Sequence, residues 1–135
     1  MLPSGLPESI AGSESLARYL TSRSQFNSSG VKPAAFLPNP KDNKTSVYRH
    51  GAEPSDELWT IGAAYVAGER TLYGAAVCLA ADVRAAQLEV VAKEPPPRHA
   101  NIERWPDDEI DPQMAKAKCM KFAGLIAQHA NLVRR

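Results

Sequence analysis

Apolar residues at helical spacing predict the most regular element of the chain near its C-terminus. They recur at intervals of three and four residues, at Phe122, Ala123, Ile126, Ala130 and Val133. Such spacing gives a helix one apolar face. Asp111 is placed to cap this helix, and Pro112 occupies the first turn, where proline is preferred. We therefore predict a final helix that begins after Asp111 and packs one face on the protein.

A second helix is predicted in the middle of the chain. Pro54-Ser55-Asp56-Glu57-Leu58-Trp59 combines capping residues with acids that suit the positive end of the helix dipole. Apolar residues continue at roughly helical spacing up to Gly68, a typical end residue. A shorter helix or turn is predicted from Ala80 to Ala86.

Residues 1–30 differ from the rest of the chain. The apolar residues of this part would share one side of a helix that runs from about Glu8 to Thr21: Leu16, Tyr19 and Leu20. The following segment, residues 24–30, has the composition of a linker. We therefore predict a helical arm and linker over residues 1–30 and one folded domain over residues 31–135.

Runs of β-branched, aromatic and aliphatic residues between turn signals predict four strands. They are Thr45–Arg49, Arg70–Leu79, Leu88–Ala92 and Asn101–Arg104. Gly74, inside the second strand, indicates a bulge or the close approach of another backbone. Ala35-Phe36-Leu37 is a further candidate, for a short edge strand, because prolines flank it. The element order predicts an α+β fold: a small mixed sheet of about four strands, two main packed helices and the N-terminal helical arm.

Composition and charge narrow the classes of protein that remain. The 135 residues are 44% hydrophobic, so a buried core is expected. The net charge of +1 argues against nonspecific nucleic-acid binding, which needs a basic excess. Cys78 and Cys119 form no C-x-x-C pair, which favours a reducing compartment. Because we find neither a signal-peptide pattern nor a run of about 18 apolar residues, we expect a cytoplasmic protein without a membrane segment.

The segment Glu94–Pro106 carries the densest set of candidate binding side chains. Three consecutive prolines, Pro95–Pro97, predict a stiff and extended backbone. The candidate binding residues that follow are charged, polar or aromatic: Arg98, His99, Asn101, Arg104 and Trp105. A tryptophan beside arginines has the composition of a protein-interface hot spot.

Four motifs of the chain resemble a group of small bacterial hypothetical proteins. They are Val31–Pro38, Thr45–Arg49, Glu57–Trp59 and Pro97–Pro106. The resemblance covers about residues 16–133. It implies a bacterial, cytosolic protein in which these motifs belong to one folded unit, and it implies no activity.

Known catalytic and metal-binding motifs do not occur in the sequence. It has no glycine-rich phosphate loop, no G-x-S-x-G and no H-x-x-x-H or C-x-x-C spacing. We therefore expect no metal site and no cofactor. His129 lies in the final helix, where a structural role is the better interpretation.

The catalytic candidates that remain are Arg49, His50 and His99. If the strands that carry Arg49 and Asn101 are neighbours, arginine forks could bind a phosphate there and a histidine could transfer a proton. The alternative is that Arg49 and Arg98 form surface ion pairs with acids such as Glu53, Glu94 and Glu103.

Two functions follow from these residues. The leading hypothesis is a noncatalytic protein-binding component of a bacterial system, such as an antitoxin or accessory subunit, which uses the Pro-rich edge and the N-terminal arm. The alternative is a small phosphate- or nucleotide-handling enzyme that uses Arg49, His50 and His99. The expected partner is accordingly a protein, or a phosphate-bearing ligand under the alternative, and nucleic acid ranks third.

Overall fold

The computed structural model describes residues 1–50, 56–107 and 110–135. Its strands are β1 Ser15–Leu20, β2 Phe26–Asn27, β3 Gly30–Val31, β4 Thr45–His50, β5 Gly74–Leu79, β6 Glu89–Ala92, β7 His99–Glu103 and β8 Asn131–Arg134. Its α-helices are α1 Asp56–Gly62, α2 Ala80–Ala85 and α3 Pro112–His129, and α1 continues as a π-helical turn over Ala63–Ala67. Short 3-10 turns occupy Arg23–Gln25 and Pro33–Ala35.

Six strands form one antiparallel sheet in the order β6-β7-β4-β1-β5-β8. β1 lies inside this sheet, where Leu16 is opposite Arg49 of β4 on one side and Cys78 of β5 on the other. On the far side of β4, Tyr48 is opposite His99 of β7. β2 and β3 form a separate two-stranded ribbon.

Helices cover both faces of the sheet. α2 and α3 pack on one face, around Leu16, Leu20 and Val47. α1 and its π-helical turn pack on the other face, around Tyr19 and Tyr48. Within the described residues, no helix combines the length and the hydropathy of a membrane-spanning segment.

The predicted α+β class agrees with the structure, but the predicted sheet, helix number and N-terminal helix are wrong. The main sheet has six antiparallel strands instead of about four mixed ones. The described residues contain three α-helices instead of two main ones. The predicted N-terminal helix is absent from the described residues 8–21, which instead supply β1. Because helices cover both faces of β1, each face carries buried apolar side chains, Leu16 and Leu20 on one and Ala17 and Tyr19 on the other. The alternation that identifies a half-buried strand is therefore missing.

Two other predicted elements also differ. The apolar pattern of the final helix runs to Val133, but α3 ends at His129 and residues 131–134 form β8 on the edge of β5. Pairing with β5 gives the backbone of β8 hydrogen-bond partners that an exposed last helical turn would lack. The expected edge strand at Ala35-Phe36-Leu37 is instead the end of a 3-10 turn, in which the Phe36 amide donates to the Pro33 carbonyl at 3.0 Å.

The residues before β1 dock on the domain itself. The amide and hydroxyl of Ser4 donate to the Glu94 carboxylate at 2.9 and 2.5 Å. Ile10 is 6% exposed and joins the core under α2. Its carbonyl accepts from Arg84 Nη2 at 2.7 Å.

The proline segment forms a tight connection instead of an extended one. Residues 93–98 join β6 to β7, which pair as antiparallel neighbours. The His99 amide donates to the Pro96 carbonyl at 3.2 Å, and the Lys93 amide donates to the His99 carbonyl at 2.9 Å. Arg98 has a left-handed backbone, with φ of 67°. The chain therefore reverses direction at the prolines, and Arg98 and His99 lie at the start of β7.

Candidate functional site

Arg49 lies on the α3 side of β4 and is 1% exposed. Its Nε donates to Glu14 Oε1, and its Nη2 donates to Glu14 Oε2 at 3.0 Å. Its Nη1 donates to the Pro7 carbonyl at 2.7 Å. The acid that pairs with Arg49 is thus Glu14, which the sequence interpretation had not named. All three guanidinium nitrogens are used to hold the N-terminal segment on the sheet.

Arg98 lies near the backbone of Arg49. Its Nε donates to the Arg49 carbonyl at 2.8 Å, and its Nη1 is 3.7 Å from the Glu57 carboxylate of α1. Glu53, one of the acids expected to pair with these arginines, lies outside the described residues. Arg49, His50 and Arg98 share a small cavity under α1, which is also lined by Tyr19, Tyr48, Glu57, Leu58 and Ile61. The volume of this cavity is about 30 Å³, which is close to the volume that one molecule occupies in liquid water.

His99 is held in one orientation at the start of β7. Its Nδ1 is 2.7 Å from the Lys93 carbonyl, which can only accept, so Nδ1 donates there. In the neutral ring, Nε2 then accepts from the Ser46 hydroxyl at 2.6 Å. The ring also meets Tyr48 edge-on, with centroids 5.2 Å apart. Burial lowers the pKa of His99, although the bond to Lys93 opposes this shift.

The other predicted binding residues lie in different environments. Trp105 is 3% exposed and packs in the core on the α3 side of the sheet. Arg104 is exposed, with φ of 70°. Asn101 points away from the α3 face and lines a polar pocket with Ser46 and Lys44. The predicted set is therefore divided among a small cavity, the core, the surface and this polar pocket.

A larger concave surface lies beside α3, and sequence reasoning missed it. We call it the proline groove; it is lined by Leu37, Pro38, Pro40, Asn43, Pro106, Asp107, Pro112, Ala115, Lys116, Cys119 and Met120. Its volume is about 580 Å³. The sequence does show prolines recurring near the ends of predicted helices and strands. Only the tertiary structure, however, brings these prolines together on one surface.

Helical spacing explains how α3 contributes to the proline groove. Ala115 and Cys119, one turn apart, are buried at 8% exposure each. Lys116 and Met120, also one turn apart, are exposed at the rim, with 49% of Met120 accessible. The groove therefore has a floor of small side chains and a flexible thioether at its edge.

Metal-ligating side chains are not gathered at any of these places. Within residues 1–50, 56–107 and 110–135, no three His, Cys, Asp or Glu side chains come together as a metal ion would require. Comparisons of the chain with family models, with curated proteins and with solved structures found no match.

Proposed function

We propose that this chain is a noncatalytic protein-binding component of a bacterial system, of the antitoxin or accessory-subunit kind. Its partner inserts an apolar side chain into the proline groove. The observation that carries this proposal is the groove itself, about 580 Å³ in volume and lined mainly by proline, leucine, alanine and methionine. Concave apolar surfaces of this size are common sites for a ligand or an anchoring side chain.

The walls of the groove support binding because they are already ordered. Pro38, Pro40, Pro106 and Pro112 restrict the backbone on both sides. Asn43 Nδ2 donates to the Trp105 carbonyl at 3.0 Å, and this bond ties the two walls together. A preformed surface loses little conformational entropy when a partner binds, so more of the contact energy appears as affinity.

The chemistry of the rim indicates the kind of partner segment. Met120 is exposed and unbranched, and methionine adapts to irregular apolar shapes. Lys116 and Asp107 place one charge of each sign beside it. The partner segment that fits this groove therefore presents an apolar anchoring side chain and has no strong net charge.

The phosphate-handling alternative has less support. The guanidinium of Arg49 is occupied by Glu14 and Pro7. The cavity that Arg49 shares with His50 has a volume of about 30 Å³, which is too small for a phosphate ester. His99 does not line this cavity.

The test is affinity purification of the tagged chain from its native cells, followed by reconstitution with the purified partner. Met120→Glu places a charge at the groove rim. Met114→Glu is the matched control, because Met114 is 53% exposed on the same helix but does not line the groove. We expect Met120→Glu to weaken the partner's Kd by about tenfold or more, or about 1.4 kcal/mol.

The control variant should keep the wild-type affinity within about twofold. Equal losses in the two variants, or a wild-type chain that recovers no stoichiometric partner, would refute the proposal. Circular dichroism melting of each variant separates lost binding from lost folding.

A further inference from the structure

Arg18 occupies a gap between two strands of the sheet. β1 and β4 pair through Ser15–Ala17 and Tyr48–His50, and the register extends no further. Arg18 lies just beyond the last pair. Its Nε donates to the Ala35 carbonyl at 2.8 Å, and its Nη1 donates to the Ser46 carbonyl at 3.0 Å. The side chain thus satisfies carbonyls near the place where the strands separate.

No carboxylate within the described part of the chain pairs with this guanidinium. Burial lowers the pKa of Arg18, and the nearby Arg70 adds to the effect. Arg18 is half-buried, and a positive charge that is partly removed from water is costly unless an opposite charge accompanies it. The surroundings of Arg18 are therefore short of negative charge.

A pocket of about 300 Å³ opens beside Arg18. Its other lining residues are Leu37, Asn39, Pro40, Asp42, Lys44, Ser46 and Asn101. It shares Leu37 and Pro40 with the proline groove.

The free polar groups of this pocket are mostly hydrogen-bond donors. The side-chain amide nitrogens (Nδ2) of Asn39 and Asn101 donate no hydrogen bond within the described residues. The Lys44 side chain is 42% exposed, and its Nζ is 4.0 Å from the Glu103 carboxylate, a separation that leaves the ammonium group able to turn to a ligand. The one acid in the lining, Asp42, accepts from the Lys44 amide at 3.1 Å.

We infer that this pocket binds the oxyanion of a small molecule, a phosphate or a phosphate monoester, between Arg18, Lys44 and Asn101. The two cations supply the opposite charges, and arginine and amide donors suit the oxygens of a tetrahedral anion. The ligand would supply the negative charge that the surroundings of Arg18 lack. This inference is independent of the function proposed for the proline groove, since Arg18, Lys44 and Asn101 do not line that groove and the ligand is of a different kind.

The test is a titration of the full chain with inorganic phosphate at constant ionic strength, followed by proton–nitrogen NMR of the Arg18 Nε and Asn101 amide signals. A parallel titration with glycerol phosphate distinguishes a phosphate monoester from the free ion. We expect saturable shifts at both signals with a Kd of about 1 mM or tighter. Sodium chloride at the same ionic strength should not produce them.

Lys44→Gln and Asn101→Leu remove two ligands without touching the carbonyl bonds of Arg18. Each should raise the phosphate Kd by about fivefold or more. Lys41→Gln is the control: it removes the same charge from the same loop, but Lys41 does not line the pocket. Its effect should stay within about twofold because exposed charges are screened.

Three results would overturn the inference. One is the absence of saturable shifts with either anion. Another is an equal loss of affinity in Lys41→Gln and Lys44→Gln, which would indicate nonspecific charge attraction. The third is unchanged affinity in both Lys44→Gln and Asn101→Leu.

Discussion

The carboxylate of Glu14 receives two guanidinium nitrogens of Arg49, and this ion pair fastens the segment before β1 to the sheet. Arg49 is 1% exposed and Glu14 is 19% exposed. The pair therefore lies at the boundary between core and solvent, with the cation inside. Its role is structural, since a third bond from Arg49 holds the Pro7 carbonyl of the same segment.

Replacing Glu14 with Gln should destabilise the protein strongly. The substitution leaves a guanidinium that is 1% exposed without its counter-charge. Removing one partner of a buried pair typically costs several kcal/mol, and the partial exposure of Glu14 reduces this to about 2–4 kcal/mol. The free energy of unfolding from urea titration measures the effect.

Glu8→Gln is the matched control for that experiment. Glu8 lies in the same segment but is exposed. Its replacement should change stability by no more than about 0.5 kcal/mol. Similar losses in both variants would show that the ion pair with Arg49 is not what holds the segment.

Acid should weaken the fold through His99. Burial lowers the pKa of His99 from its ordinary value of 6.5, so the unfolded chain takes up the proton more readily than the folded one. The neutral His99 ring therefore makes its full contribution to folding stability above pH 6.5. This stabilisation is lost as the pH falls through the lower pKa of the folded state. Urea titrations between about pH 5 and pH 7 should therefore show stability decreasing with acidity.

His99→Gln should flatten that pH dependence, because glutamine does not titrate. His129→Gln is the control, since His129 is exposed near the end of α3. It should retain the wild-type slope. If the pH dependence of stability is unchanged in His99→Gln, His99 is not its cause.

Gly74 is required for the close approach of β5 and β8. A Cβ at this position would lie 2.2 Å from the Val133 carbonyl oxygen and 3.1 Å from Arg134 Cα. Gly74→Ala should therefore displace β8 and cost about 1–3 kcal/mol. Thermal unfolding reports the loss, and limited proteolysis detects release of the C-terminal strand.

The same substitution at Gly124 provides the comparison. A Cβ there would be 3.7 Å from Pro33 Cγ, an ordinary contact. Because alanine favours a helix interior over glycine, Gly124→Ala should be neutral or stabilising by up to about 1 kcal/mol. Equal destabilisation at the two sites would contradict the proposed role of Gly74.

The two thiols should differ in reactivity. Burial raises the pKa of Cys78 to about 12. Burial and then the Asp107 carboxylate raise the pKa of Cys119, which lies on the floor of the proline groove. The thiolate is the reactive form, so iodoacetamide should modify both more slowly than free cysteine, with Cys119 ahead of Cys78.

Mass spectrometry of digests taken over time measures these rates. In urea the two thiols should react equally fast. Earlier modification of Cys78 than of Cys119 in the folded protein would contradict the placement of the two side chains.

Local patterns in the sequence were sufficient for several elements. Asp111 caps α3 as predicted, with its carboxylate accepting the Met114 amide at 3.1 Å, and Pro112 takes the first turn. Gly68 follows the π-helical turn as predicted, with φ of 57° and ψ of −123°, a backbone conformation that glycine adopts more readily than other residues. The close backbone approach predicted at Gly74 is also confirmed. These features depend on the backbone preferences of one or two residues, so neighbours in sequence suffice to reveal them.

Candidate chemistry was harder to predict because burial and pairing are nonlocal. Arg49 and Trp105 had the composition of a binding surface, but their positions in the sheet and core place them inside the domain. Asn101 does line a polar pocket. Arg18, which lines the same pocket, was not a candidate because its segment was predicted to be a helix. The sequence contains no sign that Glu14 would be the partner of Arg49 across the sheet.

The sequence by itself determined the α+β class, the strands near β4 to β7, and the start of the final helix, since each depends on local periodicity, capping or turn residues. The tertiary structure alone decided that residues 15–20 lie inside a six-stranded sheet and that the chain returns after α3 to add β8. It also brought Pro38, Pro106 and Met120 together in one groove. The physical reason is the same in each case: a strand covered on both faces has no alternating pattern, and a surface built from distant segments has no pattern at all.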